Sequence, residues 1–269
     1  MDTSENIVPI PNPLLASLRI PGETFRLPSH GLFYTDGELD DSVVNGEVEV
    51  YPMTAMEEVI LNTPDKLMSG RAVVEIFSRC IPQVKKPGLL LSKDVDFLMV
   101  CLRMVTFGQF MEITFEHDCE NAKEHSYMVD LQAMIRETRA IDATKLNEEY
   151  VHKTPNGQVV SLKPLTYTDI VQLYQTTALM KSDDLSEEES KKLIVDTLAS
   201  VIKSVDAVTD KAFILEWVEK IPLKWKRDIQ KTAQSISQWG VEFETKHTCK
   251  DCGEDITIFV SPNPVSFFM

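Results

Sequence analysis

No apolar run in this 269-residue chain approaches the ~20 residues that a membrane-spanning helix needs, so no membrane span is expected. The first residues, MDTSENIVPIPNP, are acidic and proline-broken instead of basic and then apolar, which predicts no secretory signal and a cytosolic protein. Basic charge is scarce too: 27 Lys and Arg stand against 42 Asp and Glu, a formal net charge of −15. A field of that sign repels phosphate backbones, so no nucleic-acid partner is expected. Solubility alone accounts for such a charge, and a partner with a basic surface is the functional alternative. Cysteine is too rare and scattered for a secreted disulfide framework, with five residues at Cys80, Cys101, Cys119, Cys249 and Cys252. Cys80 and Cys101 sit in apolar segments and read as small core residues.

The usual catalytic patterns are missing as well. Ten glycines leave few places for a phosphate cradle, and there is no G-x-G-x-x-G, P-loop, G-x-S-x-G or H-E-x-x-H. None of the five histidines has a serine or cysteine at a spacing that suggests a triad. The acidic stretch DDLSEEES (183–190) reads as a solvated loop and the first turn of a helix. A non-enzyme is expected.

What is present is an α+β pattern in four parts. Residues 1–45 form a Pro-rich extended arm, since Pro9, Pro11, Pro13, Pro21 and Pro28 lie too close together for helix. Its Phe25, Leu27, Leu32, Phe33 and Tyr34 are apolar side chains that must pack on something. In a first unit, 46–135, GEVEV is a strand and Thr54 with Glu57 forms a capping box. SGRAVVEIFSRCI (69–81) is helical, and Ser92 caps a helix with Val95, Leu98, Cys101, Leu102 and Val105 on one face. FMEITFEHDC (110–119) and SYMVDL (126–131) form a hairpin. Residues 136–156 are a polar linker ending in the turn signal Pro155-Asn156-Gly157. A second unit, 157–269, begins with a strand and a helix capped by Thr166 with Asp169 three on. Three helical stripes follow: Leu193, Ile194, Leu198, Val201 and Ile202; Phe213, Ile214, Trp217 and Ile221; and Trp225, Ile229, Ala233, Ile236 and Trp239. VEFET and ITIFV then form a closing hairpin.

The order of events thus occurs twice. PMTAMEE (52–58) aligns with PLTYTDI (164–170), and MEITFEHDCENA (111–122) aligns with VEFETKHTCKDC (241–252). The pattern predicts two diverged repeats of a strand–helices–β-hairpin unit. In this alignment His117-x-Cys119 matches His247-x-Cys249, but Ala122 stands where Cys252 would be.

Cys249 and Cys252 make the chain's C-x-x-C, followed by Gly253, a spacing that lets both thiolates face one zinc ion. Two further ligands would come from the other repeat, where Cys119 is paired with His117 or His125; His247 is another possible fourth ligand. The metal set is therefore Cys249, Cys252, Cys119 and His117, with one structural zinc; a decayed site with reduced, unligated cysteines is the alternative. Redox catalysis is not expected, because strands flank the C-x-x-C on both sides and Asp251, Glu254 and Asp255 disfavour a thiolate.

LPSHGLFY (27–34), GEVEVYPMTAMEEVIL (46–61) and CKDCGEDITIFVSPNPVSFF (249–268) resemble the baseplate hub assembly proteins of T-even-type myoviruses. In that family an L-P-S-x-G-x-x-Y arm precedes a strand, an M-T-x-x-E-E helix and Cys-containing hairpins. The likeness covers most of the first half and the final hairpin, while 175–240 is generic. It implies a protein of tail morphogenesis that helps build the central hub of a contractile tail's baseplate, with no established catalysis. Its partners would be other phage baseplate or tail hub proteins. It would be met in the host bacterial cytoplasm during assembly and in the virion tail baseplate. Leu27, Pro28, Ser29, Gly31 and Tyr34 are then candidates for a docking arm, with Phe267 and Phe268 as a second terminal contact. Deletion of 1–34 is expected on this reading to leave a folded chain that fails in assembly. A zinc-knuckle regulatory or adaptor protein is the alternative function, and the net charge opposes its nucleic-acid form. No feature of the sequence sets an oligomeric state.

Overall fold

Alternation in ETFR and EVEV produces the first pairing. Strand β1 (Glu23–Arg26) runs antiparallel to β2 (Glu47–Val50), with Phe25 opposite Val48, and both valines of β2 are fully buried. The computed structural model describes residues 20–117, 124–145, 150–180, 187–249 and 252–268.

Thr54 starts helix α1 (Ala55–Leu61): its backbone N–H donates to Glu57 Oε2 at 2.8 Å while its hydroxyl accepts from the Met56 N–H at 3.3 Å. Helices α2 (Pro64–Met68) and α3 (Arg71–Cys80) follow, and α3 buries Ala72, Val73, Ile76, Phe77 and Cys80 along one stripe. Helix α4 (Ser92–Phe107) is the central helix of the first half, with Leu98, Val100, Cys101 and Leu102 fully buried. Its cap is Leu91, which offers no side-chain acceptor, so Ser92 is the first helical residue and not the cap. Burial pushes the Cys80 thiol up to about 12 and the Cys101 thiol well above its ordinary value, as befits small core residues.

The expected hairpin is formed by β3 (Phe110–Glu116) and β4 (Glu124–Asp130), with Met111 opposite Val129 and Ile113 opposite Tyr127. Beyond it the polar stretch is more structured than a linker. Asp130 caps a short helix α5 (Leu131–Glu137) by accepting from the Ala133 N–H at 3.1 Å, and β5 (Val151–Lys153) precedes the Gly157 turn. Strand β6 (Val159–Leu162) lies between β5 and β7 (Ile202–Val205) in an antiparallel sheet. Strand β7 was not foreseen: Ile202 is its first residue and not the end of a helical stripe.

Helices α6 (Tyr167–Met180), α7 (Glu187–Ser200), α8 (Lys211–Lys220) and α9 (Leu223–Ser235) complete the second half. Thr166 and Asp169 cap α6 reciprocally, at 3.0 and 3.2 Å. On α8 the buried face is Ile214 and Val218, while Phe213 is 64% exposed. The Ile229, Ile236 and Trp239 stripe is buried as its spacing requires. Strands β8 (Glu244–Thr248) and β9 (Asp255–Phe259) form the last hairpin, and α10 (Pro264–Phe268) follows it. No helix among the described residues is long and apolar enough to cross a membrane.

The architecture is α+β, with small antiparallel sheets set among helices. Both halves show strand, helices and hairpin in that order, but β7 interrupts the helices of the second alone. The two hydrophobic cores do not divide the chain at the polar stretch. The first contains Leu27, β2, α3 and α4 together with Val241, Val260, Phe267 and Phe268 from the far end of the second unit. The second gathers Tyr150, Val160, Leu162, Leu198, Ile214, Ile229 and Trp239, with Leu91 from the first half.

Residues 1–19 of the arm, with Pro9, Pro11 and Pro13, lie outside the described residues; its remainder, from Ile20 on, is built into the junction of these cores. Leu27, Pro28 and Ser29 are buried, and Tyr34 packs against both cores. Asp94, in the first turn of α4, is fully buried and accepts from the Ser29 N–H at 3.0 Å, the Ser29 hydroxyl at 2.5 Å and the Tyr34 hydroxyl at 2.6 Å. The Tyr34 hydroxyl oxygen accepts in turn from the Leu91 N–H at 2.9 Å, and the Pro28 carbonyl accepts from the Ile141 N–H at 3.0 Å. Burial pushes the Asp94 carboxyl up to about 6 against the pull of its hydrogen bonds from Ser29 and Tyr34. Burial, and then the charge of Asp94, hold the Tyr34 hydroxyl well above its ordinary value. The turn that follows Ser29 lies against Gly46, the residue just before β2. Gly46 has φ +72°, and a Cβ there would come within 2.8 Å of the Gly31 nitrogen.

These contacts carry two expectations. Replacing Asp94 with Ala orphans three buried donors and is expected to cost about 3 kcal/mol or more of unfolding free energy in urea titration. Gly46→Ala meets both left-handed backbone strain and a backbone clash, so a loss of roughly 2 kcal/mol or more is expected in the same assay. The Asp94 carboxyl also sets a pH dependence. Its native pKa, about 6, lies above the ordinary 3.8, so the native state binds this proton more tightly. The resulting stability is complete below the ordinary value and is lost as pH rises through about 6. Between pH 7 and pH 5 the wild type should therefore gain roughly 1 kcal/mol relative to Asp94→Asn. Equal pH dependence in the two proteins would count against a buried, titrating Asp94.

Candidate functional site

Strand alternation sorts the side chains of the two hairpins. On the first, Met111, Ile113, Phe115 and His117 turn inward with His125, Tyr127 and Val129, whereas Glu112, Thr114, Glu116 and Met128 are exposed. On the second, Thr245, His247, Ile256 and Ile258 turn inward, whereas Lys246, Thr257 and Phe259 are exposed. The inner faces meet. The His247 ring lies 4.7 Å from that of Tyr127 and 6.4 Å, edge-on, from that of Phe115.

This stacking brings the ends of the hairpins together. His117 follows the last residue of β3, and Cys249 follows the last residue of β8. The Cys249 N–H donates to the Glu254 carbonyl at 2.8 Å, and its carbonyl accepts from the Gly253 N–H at 2.9 Å, so the C-x-x-C chain folds back on itself. Gly253 takes φ +75°, which suits glycine at that reversal. The donor atoms of His117, Cys249 and Cys252 all lie within 4.8 Å of one another, and His117 Nε2 is 3.2 Å from Cys252 Sγ. Cys249 is buried and Cys252 exposed. The Glu254 carboxylate is 3.8 Å from the same His117 nitrogen.

Of the four metal ligands named from sequence, the structure thus brings three together from chain segments that are far apart. The fourth, Cys119, lies outside the described residues, as does Ala122. His247 packs on Tyr127 instead of joining the cluster, and His125 stacks on Phe115 at 5.7 Å. The docking residues named from sequence are placed differently from that expectation. Leu27, Pro28 and Ser29 are inside, Gly31 and Tyr34 are half-buried, and Phe267 and Phe268 are 1% and 5% exposed. Their apolar character serves the protein's own core.

A surface that sequence reasoning missed lies beside the cluster. A groove of about 570 Å³ is lined by residues 111–117 along and just after β3, by residues 256–261 around β9, and by Phe267. Each strand has a single strand partner among the described residues, so each keeps one open edge. The ladder contacts identify the groups on those edges. Leu131 N–H donates to the Gln109 carbonyl, and Val260 N–H to the Phe243 carbonyl, so alternation turns the backbone groups of Glu112, Thr114, Glu116, Thr257 and Phe259 away from their hairpin partners. Exposed apolar side chains flank these edges: Phe110 at 58% and Phe259 at 60%. The alternation of β3 and β9 is plain in the sequence, but which of their edges lacks a partner is a property of the assembled sheets.

No curated protein and no solved structure matches the chain. A family model described as T4 bacteriophage base plate protein matches residues 38–269, a span that takes in both hairpins and the three-donor cluster, and the chain belongs to that family.

Proposed function

We propose that this base plate protein acts in assembly of the baseplate hub, without catalysis, by pairing the open edges of β3 and β9 with an extended segment of another tail protein. Two unpaired strand edges that line one groove, in a member of a phage baseplate family, support this reading. An edge of this kind recognises an added strand through main-chain hydrogen bonds, while pockets beside it select side chains. Glu112 and Glu116 on β3 place acidic groups along the groove, and the whole chain carries −15. The segment that fits has apolar residues for the flanking Phe110 and Phe259 and basic residues for the acidic margins. Assembly in the host cytoplasm, before or during incorporation into the tail, belongs to this reading.

The test uses proline, which removes an edge donor while leaving the ladder to the hairpin partner in place. Thr114→Pro and Thr257→Pro are made in the full chain and co-expressed with the phage's tail proteins. An identified baseplate protein should co-purify with the wild type and fall at least about tenfold in each variant, with circular dichroism unchanged; tenfold corresponds to about 1.4 kcal/mol. Undiminished recovery by both variants would remove the edges as the docking site. A wild-type protein that retains no tail protein would defeat the assembly reading itself.

A further inference from the structure

We infer that His117, Cys249 and Cys252 form a structural zinc site that ties the ends of the two hairpins together. The donor set is one imidazole nitrogen and two thiol sulfurs, the chemistry that selects zinc over the oxygen-seeking calcium and magnesium. Its geometry is close to what a tetrahedral ion requires. Bond lengths of about 2.3 Å to sulfur and about 2.0 Å to nitrogen put neighbouring donors roughly 3.5–3.8 Å apart. The three donor atoms lie within 4.8 Å of one another, and the His117–Cys252 pair is at 3.2 Å, so small side-chain adjustments would admit the ion. The backbone is already arranged for it: the Cys249–Gly253 and Cys249–Glu254 hydrogen bonds hold the C-x-x-C turn.

The location argues for the same role. His117 and Cys252 are 135 residues apart in sequence, and each stands at the exposed end of a two-stranded hairpin. Toward the base, buried Met111 and Val129 of the first hairpin share one core with Val241 and Val260 beside the second, but toward the ends apolar burial gives way to polar rings and thiols. An ion shared between the hairpins supplies the tie that apolar burial does not. Glu254, 3.8 Å from His117 Nε2, adds negative charge that favours a cation. Three protein ligands leave one position of the tetrahedron for another donor. Thiolate ligation also requires each bound cysteine to lose its proton, so acidification should release the ion.

Because β3 ends at the site and β9 begins just beyond it, the ion would also set the spacing of the two edges that line the groove. That consequence rests on the docking reading; the zinc site does not. The full chain is purified without chelator and its metal content measured by mass spectrometry. About one zinc per chain is expected in the wild type, falling by at least fivefold in Cys252→Ser and in His117→Ala. Adding zinc to the chelator-stripped wild type should raise Tm by on the order of 5 °C. Cobalt in place of zinc should give the intense visible bands of a tetrahedral thiolate site, a readout on the unaltered chain that stands even where a variant fails to fold. Metal-free protein whose Tm zinc does not move, cobalt without those bands, or zinc fully retained in both variants would each overturn the site. Zinc content is read on the isolated chain, so its failure leaves the docking reading intact.

Discussion

The buried carboxylate of Asp94 is the point on which the fold turns. It satisfies the backbone and hydroxyl of Ser29 and the hydroxyl of Tyr34, and through Tyr34 it reaches the N–H of Leu91. Those four residues belong to the arm, to the start of the central helix and to both hydrophobic cores. A desolvated acid with no basic side chain bound to it among the described residues is costly, and the hydrogen bonds around it offset that cost only while all are present. The arrangement therefore acts less as glue than as a specification: the arm can seat in one position only. Apolar packing of Leu27 and the close approach of Gly31 to Gly46 then fill in around it.

Seen this way, the proline-rich arm illustrates what a sequence can and cannot say. From Ile20 on, Pro21, Pro28 and the aromatic residues sit in non-helical chain that needs a packing surface, but they do not say whose surface it is. Here it is the protein's own. The same holds for Phe267 and Phe268, whose apolar character is equally consistent with an exposed contact and with a buried one. Local signals fared better, because their physics is local. The Thr54–Glu57 and Thr166–Asp169 caps, the strand alternation of the two hairpins and the Ile229–Ile236 stripe depend on neighbours within a few residues. Strand β7 was hidden because IKSV follows a helix with apolar residues that continue its spacing; only the edge of β6 makes it a strand. Phe213 misled for a similar reason, since helical spacing alone does not decide which side of α8 meets the core.

The cluster at the hairpin ends was half legible. C-x-x-C announced two donors that share a turn, and alignment of the two hairpins pointed to His117 as a third. Their meeting required the face-on stacking of two hairpins, carried by rings such as Tyr127 and His247 that no spacing rule connects. The two histidines that the sequence alignment sets side by side take different parts: His117 joins the thiols, whereas His247 packs between rings.

The placement of residues 241–268 in the first core bears on how the molecule is made. Val241, Val260, Phe267 and Phe268 close a cluster whose other members come mostly from residues 27–135. A ribosome releases the first set long after the second, so the early part of the chain cannot finish its core as it emerges. Loops that long raise contact order and slow the final condensation. Until Phe268 arrives, the apolar face of the central helix stays open to water and to other nascent chains. That interval is a window for aggregation, and the chain's net charge of −15 acts against it by keeping incomplete chains apart.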